Sequence, residues 1–208
     1  KAKHFRVAVD PVNSVGGIAV PRLLNALGVE DIVLINGEPT GHFAHNPEPL
    51  AEHLGEISSV VKSDKCHLGI VVDPDVDRLA LISDDGEMFG EEYTLVAIAD
   101  YYMKHTPGAT VSNLSSTRAL KELTEKAGQH YFASAVGEVN VVECMKENNA
   151  VIGGEGNGGI IVPELHYGRD ALVGIALFLS HLAESNLKTS GLRALYPTYM
   201  MSKNKAEL

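Results

Sequence analysis

The run Leu68-Gly-Ile-Val-Val-Asp73-Pro-Asp75-Val-Asp77-Arg78-Leu-Ala-Leu-Ile-Ser83 leaves few ways to fold. Its apolar stretches, Ile70–Val72 and Leu79–Ile82, are short and rich in β-formers, so each reads as a buried strand. Pro74 has no amide hydrogen to give a ladder, which puts the acidic segment in a loop at a strand end. Three carboxylates on one tight bend repel each other unless a cation neutralises them. Hard oxygen donors favour Mg2+, Mn2+ or Ca2+ over thiophilic metals.

The same logic extends along the chain. Phe5–Asp10 reads as a strand, followed by the turn Pro11–Gly17 and a helix over Ile18–Leu27 that Gly28 ends. Asp31–Ile35 is a second strand, Thr40–Pro49 is irregular, and Leu50–Ser63 has helical spacing. His67–Val72 delivers the aspartates. Leu79–Ser83 returns to a hairpin turn at Asp84-Asp85-Gly86. Glu91–His105 reads as an amphipathic helix, and Thr106-Pro107-Gly108 breaks the pattern.

The order then repeats. Ala109–Leu114 is a strand. A helix over about 117–127, capped by Ser115 or Ser116, stops at Gly128. His130–Ala133 is a strand and Val139–Asn148 a helix. Ala150–Ile152 and Gly159–Val162 flank a glycine-rich loop. A strongly apolar helix over Asp170–Glu184 follows, with Asp170 as its N-cap. The predicted fold class is α/β: two consecutive α/β domains of similar topology, 1–106 and 107–208, each a mixed mostly parallel sheet layered with helices. From Leu187 onward the chain reads as a loosely held tail ending in Lys203–Leu208.

A net charge of −10 argues against nucleic acid as a partner, because phosphate backbones are held by Lys and Arg. No apolar run approaches the roughly 20 residues of a membrane span. The chain starts at Lys1 without an initiator Met and reads as a piece of something longer. Cys66 and Cys144 form no ligand motif and read as buried, reduced thiols of a cytoplasmic protein.

Asp73, Asp75 and Asp77 are the candidate metal ligands, with Arg78 adjoining them to pair with a carboxylate or a phosphate. Their spacing fits the start of an EF-hand, but Arg78 replaces the glycine at position six and Asp84 the glutamate at position twelve. Strands also flank the bend where helices belong. The second constellation, Gly153-Gly154-Glu155-Gly156-Asn157-Gly158-Gly159, has five glycines in seven residues, which lets a ligand approach the backbone. Glu155 and Asn157 are its polar side chains, a pair suited to sugar hydroxyls. No Gly-Lys-Ser/Thr follows and no helix follows, so it is neither a Walker loop nor a dinucleotide fingerprint. Val136-Gly137-Glu138 is a helix entry whose amides could bind an anion. Arg169, before the Asp170 cap, could reach a phosphate but reads by default as an exposed arginine. His45-Asn46-Pro47, with Ala44 rather than Ser before it, reads as a structural turn.

Together, Asp73-Pro-Asp-Val-Asp-Arg78, Val136-Gly137, Gly154-Glu155-Gly-Asn-Gly-Gly159 and Arg169-Asp170 resemble, in the same order, the motifs of the α-D-phosphohexomutases. These are the phosphomannomutases, phosphoglucomutases and phosphoglucosamine mutases. The resemblance implies four domains, of which this chain would be the second, metal-binding one (1–106) and the third, sugar-recognising one (107–208). Leu195-Tyr-Pro197-Thr-Tyr199 is similar to the segment leading toward the fourth. It implies a hexose phosphate substrate and a phosphoryl group moved between C1 and C6 through a phosphoserine and a bisphosphate. It also implies Mg2+ on Asp73, Asp75 and Asp77, a catalytic Arg78, and Glu155, Asn157, Gly154 and Gly137 on the substrate. Asn157 stands where many members carry Ser, Pro74 replaces the commoner Gly, and Ala135 stands where a basic residue often precedes the Val-Gly turn. The Ser-His-Asn-Pro motif of the first domain and the phosphate loop of the fourth are not in this sequence, which implies that the piece alone does not turn over.

Two other readings fit part of the pattern. A haloacid-dehalogenase-like phosphatase would use Asp73 as nucleophile and Asp75 as acid/base. It needs a downstream Lys and a further acidic pair, Asp84-Asp85 lies too close, and the glycine-rich loop would be unexplained. A non-catalytic module binding a metal or a sugar phosphate is the other.

Overall fold

The computed structural model describes residue 2 and residues 4–199. The first half runs β1 (Arg6–Asp10), α1 (Gly16–Ala26), β2 (Asp31–Leu34), a 3-10 turn (Ala51–His53), α2 (Gly55–Ser63), β3 (Leu68–Val72) and β4 (Leu79–Ser83). Then come α3 (Glu91–His105), β5 (Thr110–Asn113), α4 (Ala119–Lys126), β6 (Tyr131–Ser134), α5 (Glu138–Glu147), β7 (Ile152–Gly154), β8 (Ile160–Ile161), α6 (Ala171–Ser185) and α7 (Thr189–Arg193).

Two sheets of four strands result, ordered β2-β1-β3-β4 and β6-β5-β7-β8. In each, the first three strands are parallel and the last is antiparallel. The α/β class and the repeated topology are therefore those expected. Side chains alternate faces along a strand. Val7 and Val9 of β1, Leu68, Ile70 and Val72 of β3, and Leu79 and Leu81 of β4 face one core, which α3 and α6 share with Ile152 and Ile160 of the second sheet. Ala8, Val71, Ala80 and Ile82 face the other way, onto Ile57 and Val61 of α2. Val111 and Ile161 likewise pack on Val141 and Met145 of α5. One core thus runs between the sheets, and each outer face has its own helix.

That shared core corrects the reading of Glu91–His105. Its limits are those of α3, but it is not amphipathic: residues 93–99 are all buried, because sheet strands and helices surround the segment. The helical spacing of Leu50–Ser63 is interrupted at Leu54 (φ −101°, ψ 16°), where a buried side chain holds the turn between two helical pieces. Neither Ser115 nor Ser116 caps α4. The Ser115 amide (3.1 Å) and the Ser116 hydroxyl (2.9 Å) both donate to Asn113 Oδ1 instead. Asp170 does cap α6, with Oδ1 accepting from the Leu172 (2.7 Å) and Val173 (3.1 Å) amides.

Residues 188–199 are packed rather than loose. Thr189, Leu192 and Tyr196 are buried, and the Tyr93 hydroxyl donates to the Pro197 carbonyl at 2.7 Å. Lys203–Leu208 lies outside the described residues. Both cysteines are free, but only Cys66 is buried; Cys144 is partly exposed.

Candidate active site

The bend between β3 and β4 is organised by its first aspartate. Asp73 is 1% exposed. Its Oδ1 accepts from the amides of Asp77 and Arg78, both at 3.0 Å, and its Oδ2 from Arg78 Nε at 2.9 Å. Val76 turns the chain with φ +62°, a region costly for a β-branched residue. Two backbone hydrogen bonds hold it there, Val76 N to Asp73 O (3.1 Å) and Ala171 N to Val76 O (3.0 Å).

The result brings oxygens of Asp73, Asp75 and Asp77 within 4.8 Å of one another. Ligand oxygens at about 2.0–2.6 Å from one Mg2+ or Ca2+ lie within about 5 Å of each other. Asp77 Oδ1 is buried and has no hydrogen-bond donor, and a cation would satisfy it. The donor set therefore fits a hard divalent ion.

Their titration follows from the same geometry. Burial pushes Asp73 up, but the Arg78 amide and the further hydrogen bonds outweigh it, and its pKa lies below the usual value. Asp77 is pushed up to about 6, first by burial and then by the neighbouring Asp73 carboxylate, with Asp75 adding and Arg169 opposing. A raised carboxyl pKa means that the metal-free fold disfavours the charged form. Asp77 therefore contributes stability to the metal-free fold that is present below the ordinary carboxylate range and is lost as pH rises through about 6. A cation needs Asp77 ionised, so Mg2+ affinity falls by up to about tenfold per pH unit below that value. Calorimetric titration with Mg2+ from pH 5 to 8 checks this; a flat profile would contradict it.

The glycine-rich loop closes on this bend. Gly158 has φ +87°, and a Cβ there would lie 2.2 Å from the Leu79 carbonyl oxygen. A Cβ on Gly154 would lie 2.0 Å from the Gly159 carbonyl oxygen. Both positions need glycine. The close approach lets the Leu79 amide donate to the Gly158 carbonyl at 3.1 Å, and Arg78 and Gly159 form an antiparallel bridge. The two loops are thus hydrogen-bonded to each other.

Glu155 is buried, with Oε1 accepting from Asn113 Nδ2 (2.8 Å) and Oε2 from Arg169 Nη1 (3.2 Å). Asn157 Oδ1 accepts from the Gly159 amide at 3.2 Å and braces the loop. Arg78 reaches Glu48 Oε1 through Nη1 (3.2 Å). Gly137 (φ +113°) begins α5, directly before Glu138.

Arg169 is not the exposed arginine expected. It is 19% exposed and pairs with Asp77, Glu155 and Glu138. Asn113 is absent from the motifs read in the sequence, and Glu138 and Arg169 stand in two of them with no sign of the pairing seen here. Asn113 ends the first strand of its sheet, so strand order could have located it; pairing across distant segments leaves no such pattern. His45 bonds Asp10 Oδ2 at 3.0 Å, a structural tie. Both Asp73 oxygens are engaged, which disfavours a nucleophilic role for it.

Residues 1–86 match the family model described as phosphoglucomutase/phosphomannomutase, alpha/beta/alpha domain II, and residues 90–199 match that of domain III. The chain belongs to the phosphoglucomutase/phosphomannomutase family. A family protein of Thermococcus kodakarensis named phosphoglucomutase/phosphomannomutase is 33% identical over 207 residues, which is 99% of this chain and 45% of that protein. A crystal structure of a phosphoglucomutase/phosphomannomutase family protein from Burkholderia thailandensis superposes with a TM-score of 0.86 at 26% identity, covering 94% of this chain and 43% of that one. The fold is shared with N-acetylphosphoglucosamine mutase of Aspergillus fumigatus, solved in complex with GlcNAc-6P and magnesium (TM-score 0.67, 14% identity, 93% and 49% covered). The chain spans less than half the length of these relatives.

Proposed function

We propose that this chain is the central part of a phosphohexomutase that moves a phosphoryl group between C1 and C6 of a hexose phosphate through a phosphoserine and a bisphosphate. The observation that carries it is the hydrogen-bonded junction of acidic bend and glycine-rich loop, which puts candidate metal ligands beside candidate sugar ligands. Residues 1–106 supply the first set and 107–208 the second, and the rest of the full-length enzyme, its first and fourth domains, would supply the serine and a further phosphate contact.

Mg2+ held by Asp73, Asp75 and Asp77 would neutralise charge on the transferring group. Arg78 is held against Asp73 and Glu48 through Nε and Nη1, which would leave its Nη2 for a phosphate oxygen. Glu155 accepts hydrogen bonds from sugar hydroxyls, as Asn113 and Arg169 fix its carboxylate in place. Gly154 and Gly158 set the loop backbone that carries Glu155 and Asn157, and Gly137 opens α5 beside Glu138. No helix among the described residues is long and apolar enough to cross a membrane, and a cytoplasmic location is part of the proposal.

The test is a coupled assay with glucose, mannose and glucosamine 1-phosphates, each with its 1,6-bisphosphate. The 208-residue chain is expected to be silent and the full-length protein carrying it to turn over one of them. Turnover by the chain alone refutes its dependence on other domains. A full-length protein inert on all three sinks the mutase reading.

A further inference from the structure

Arg169 lies beside the bend and the loop at once, although 92 residues separate it from Asp77. Its Nη2 donates to Asp77 Oδ2, its Nη1 to Glu155 Oε2 (3.2 Å), and its Nε lies 3.3 Å from Glu138 Oε2. Its backbone amide donates to Glu138 Oε1 at 3.1 Å. The residues that follow are pinned: Asp170 N bonds Ile160 O (2.8 Å) and Ala171 N bonds Val76 O (3.0 Å). Room for the side chain comes from Gly159, where a Cβ would lie 2.4 Å from Arg169 Cδ. One guanidinium therefore serves three carboxylates, two of them in the proposed ligand sets. A planar fork suits this task and an ammonium does not.

We propose that Arg169 is a positioning residue that holds the acidic bend against the glycine-rich loop and supplies, in the metal-free protein, positive charge that a divalent cation supplies when bound. The inference rests on the function proposed above and goes beyond it by coupling the two ligand sets through one side chain. Two consequences have opposite signs. Without Arg169, buried Glu155 loses its cationic partner and half-buried Asp77 keeps only the longer approach of Arg78 Nε at 3.7 Å, so the metal-free fold weakens. The same loss removes a positive charge that contends with the cation for Asp77, so metal binding tightens. A merely structural arginine would weaken both together.

The experiment is Mn2+ titration of the 208-residue chain by electron paramagnetic resonance, with thermal midpoints measured without metal. Arg169→Met is expected to bind Mn2+ on the order of tenfold tighter than wild type and to melt at least about 5 °C lower without metal. Arg169→Lys, which keeps the charge, should bind Mn2+ close to wild type. Gly159→Ala leaves the arginine in the chain but pushes its side chain away, and should shift Mn2+ affinity in the same direction as Arg169→Met. Wild type that binds Mn2+ while neither Arg169→Met nor Gly159→Ala binds it tighter overturns the role of Arg169 and leaves the proposed function standing. Wild type that binds no Mn2+ overturns both.

Discussion

Asp75→Asn is expected to lower Mg2+ affinity by at least about 100-fold, since even residues that only orient metal ligands are worth 10–100-fold. The same substitution should leave the metal-free thermal midpoint within about 2 °C of wild type. Asp75 is exposed, and among the described residues its carboxylate accepts no hydrogen bond, so surface-type costs apply. It is the clean probe of the three. Asp73 accepts three hydrogen bonds within the bend, and its removal would confuse ligation with folding. Calorimetric titration paired with a melting curve reads both quantities. Retained Mg2+ affinity in Asp75→Asn would show that Asp75 is not a ligand.

Phe178→Ala is expected to be the most damaging core substitution. Phe178 on α6 is fully buried and meets Phe89, beyond β4, edge to face with centroids 5.0 Å apart. Deleting such a ring costs about 3–5 kcal/mol. For a chain of this size that is a fall of roughly 6–20 °C in the thermal midpoint. Because α6 packs on α1, α3, β4 and β8, the loss should lower one shared transition rather than split it. Circular dichroism during heating checks this. A fall under about 3 °C, or two separate transitions, would show that α6 does not unite the sheets.

The strands and the hairpin bend were legible because two-sided burial leaves uninterrupted β-rich runs and Pro74 has only one kind of place to stand. Helix limits were legible wherever glycine or an Asx cap ended them, as at Gly28, Gly128 and Asp170. The all-round burial of residues 93–99 in α3 was not, because Glu91, Glu92, Lys104 and His105 at its ends give it the look of a half-exposed helix. The packing of Leu187–Tyr199 escaped for a similar reason: a few apolar anchors among polar residues carry no period. In the site, the acidic bend announced itself because its residues are consecutive. The pairing of Arg169 did not, because its partners Asp77, Glu138 and Glu155 come from three separate segments. What the sequence did contain was a repeated element order, and the structure gives that repeat chemical meaning. Asp73 and Glu155 each directly follow the third strand of their own sheet, so one scaffold position holds the proposed cation in one half and the proposed sugar in the other.

The hydrogen bond from the Leu79 amide to the Gly158 carbonyl stitches the rims of both sheets into one continuous ledge. A hinge cannot operate across a seam of that kind without tearing it. On the function proposed above, the opening that lets a doubly phosphorylated sugar turn end over end would then be made by domains that face this ledge, with the ledge itself as the fixed jaw.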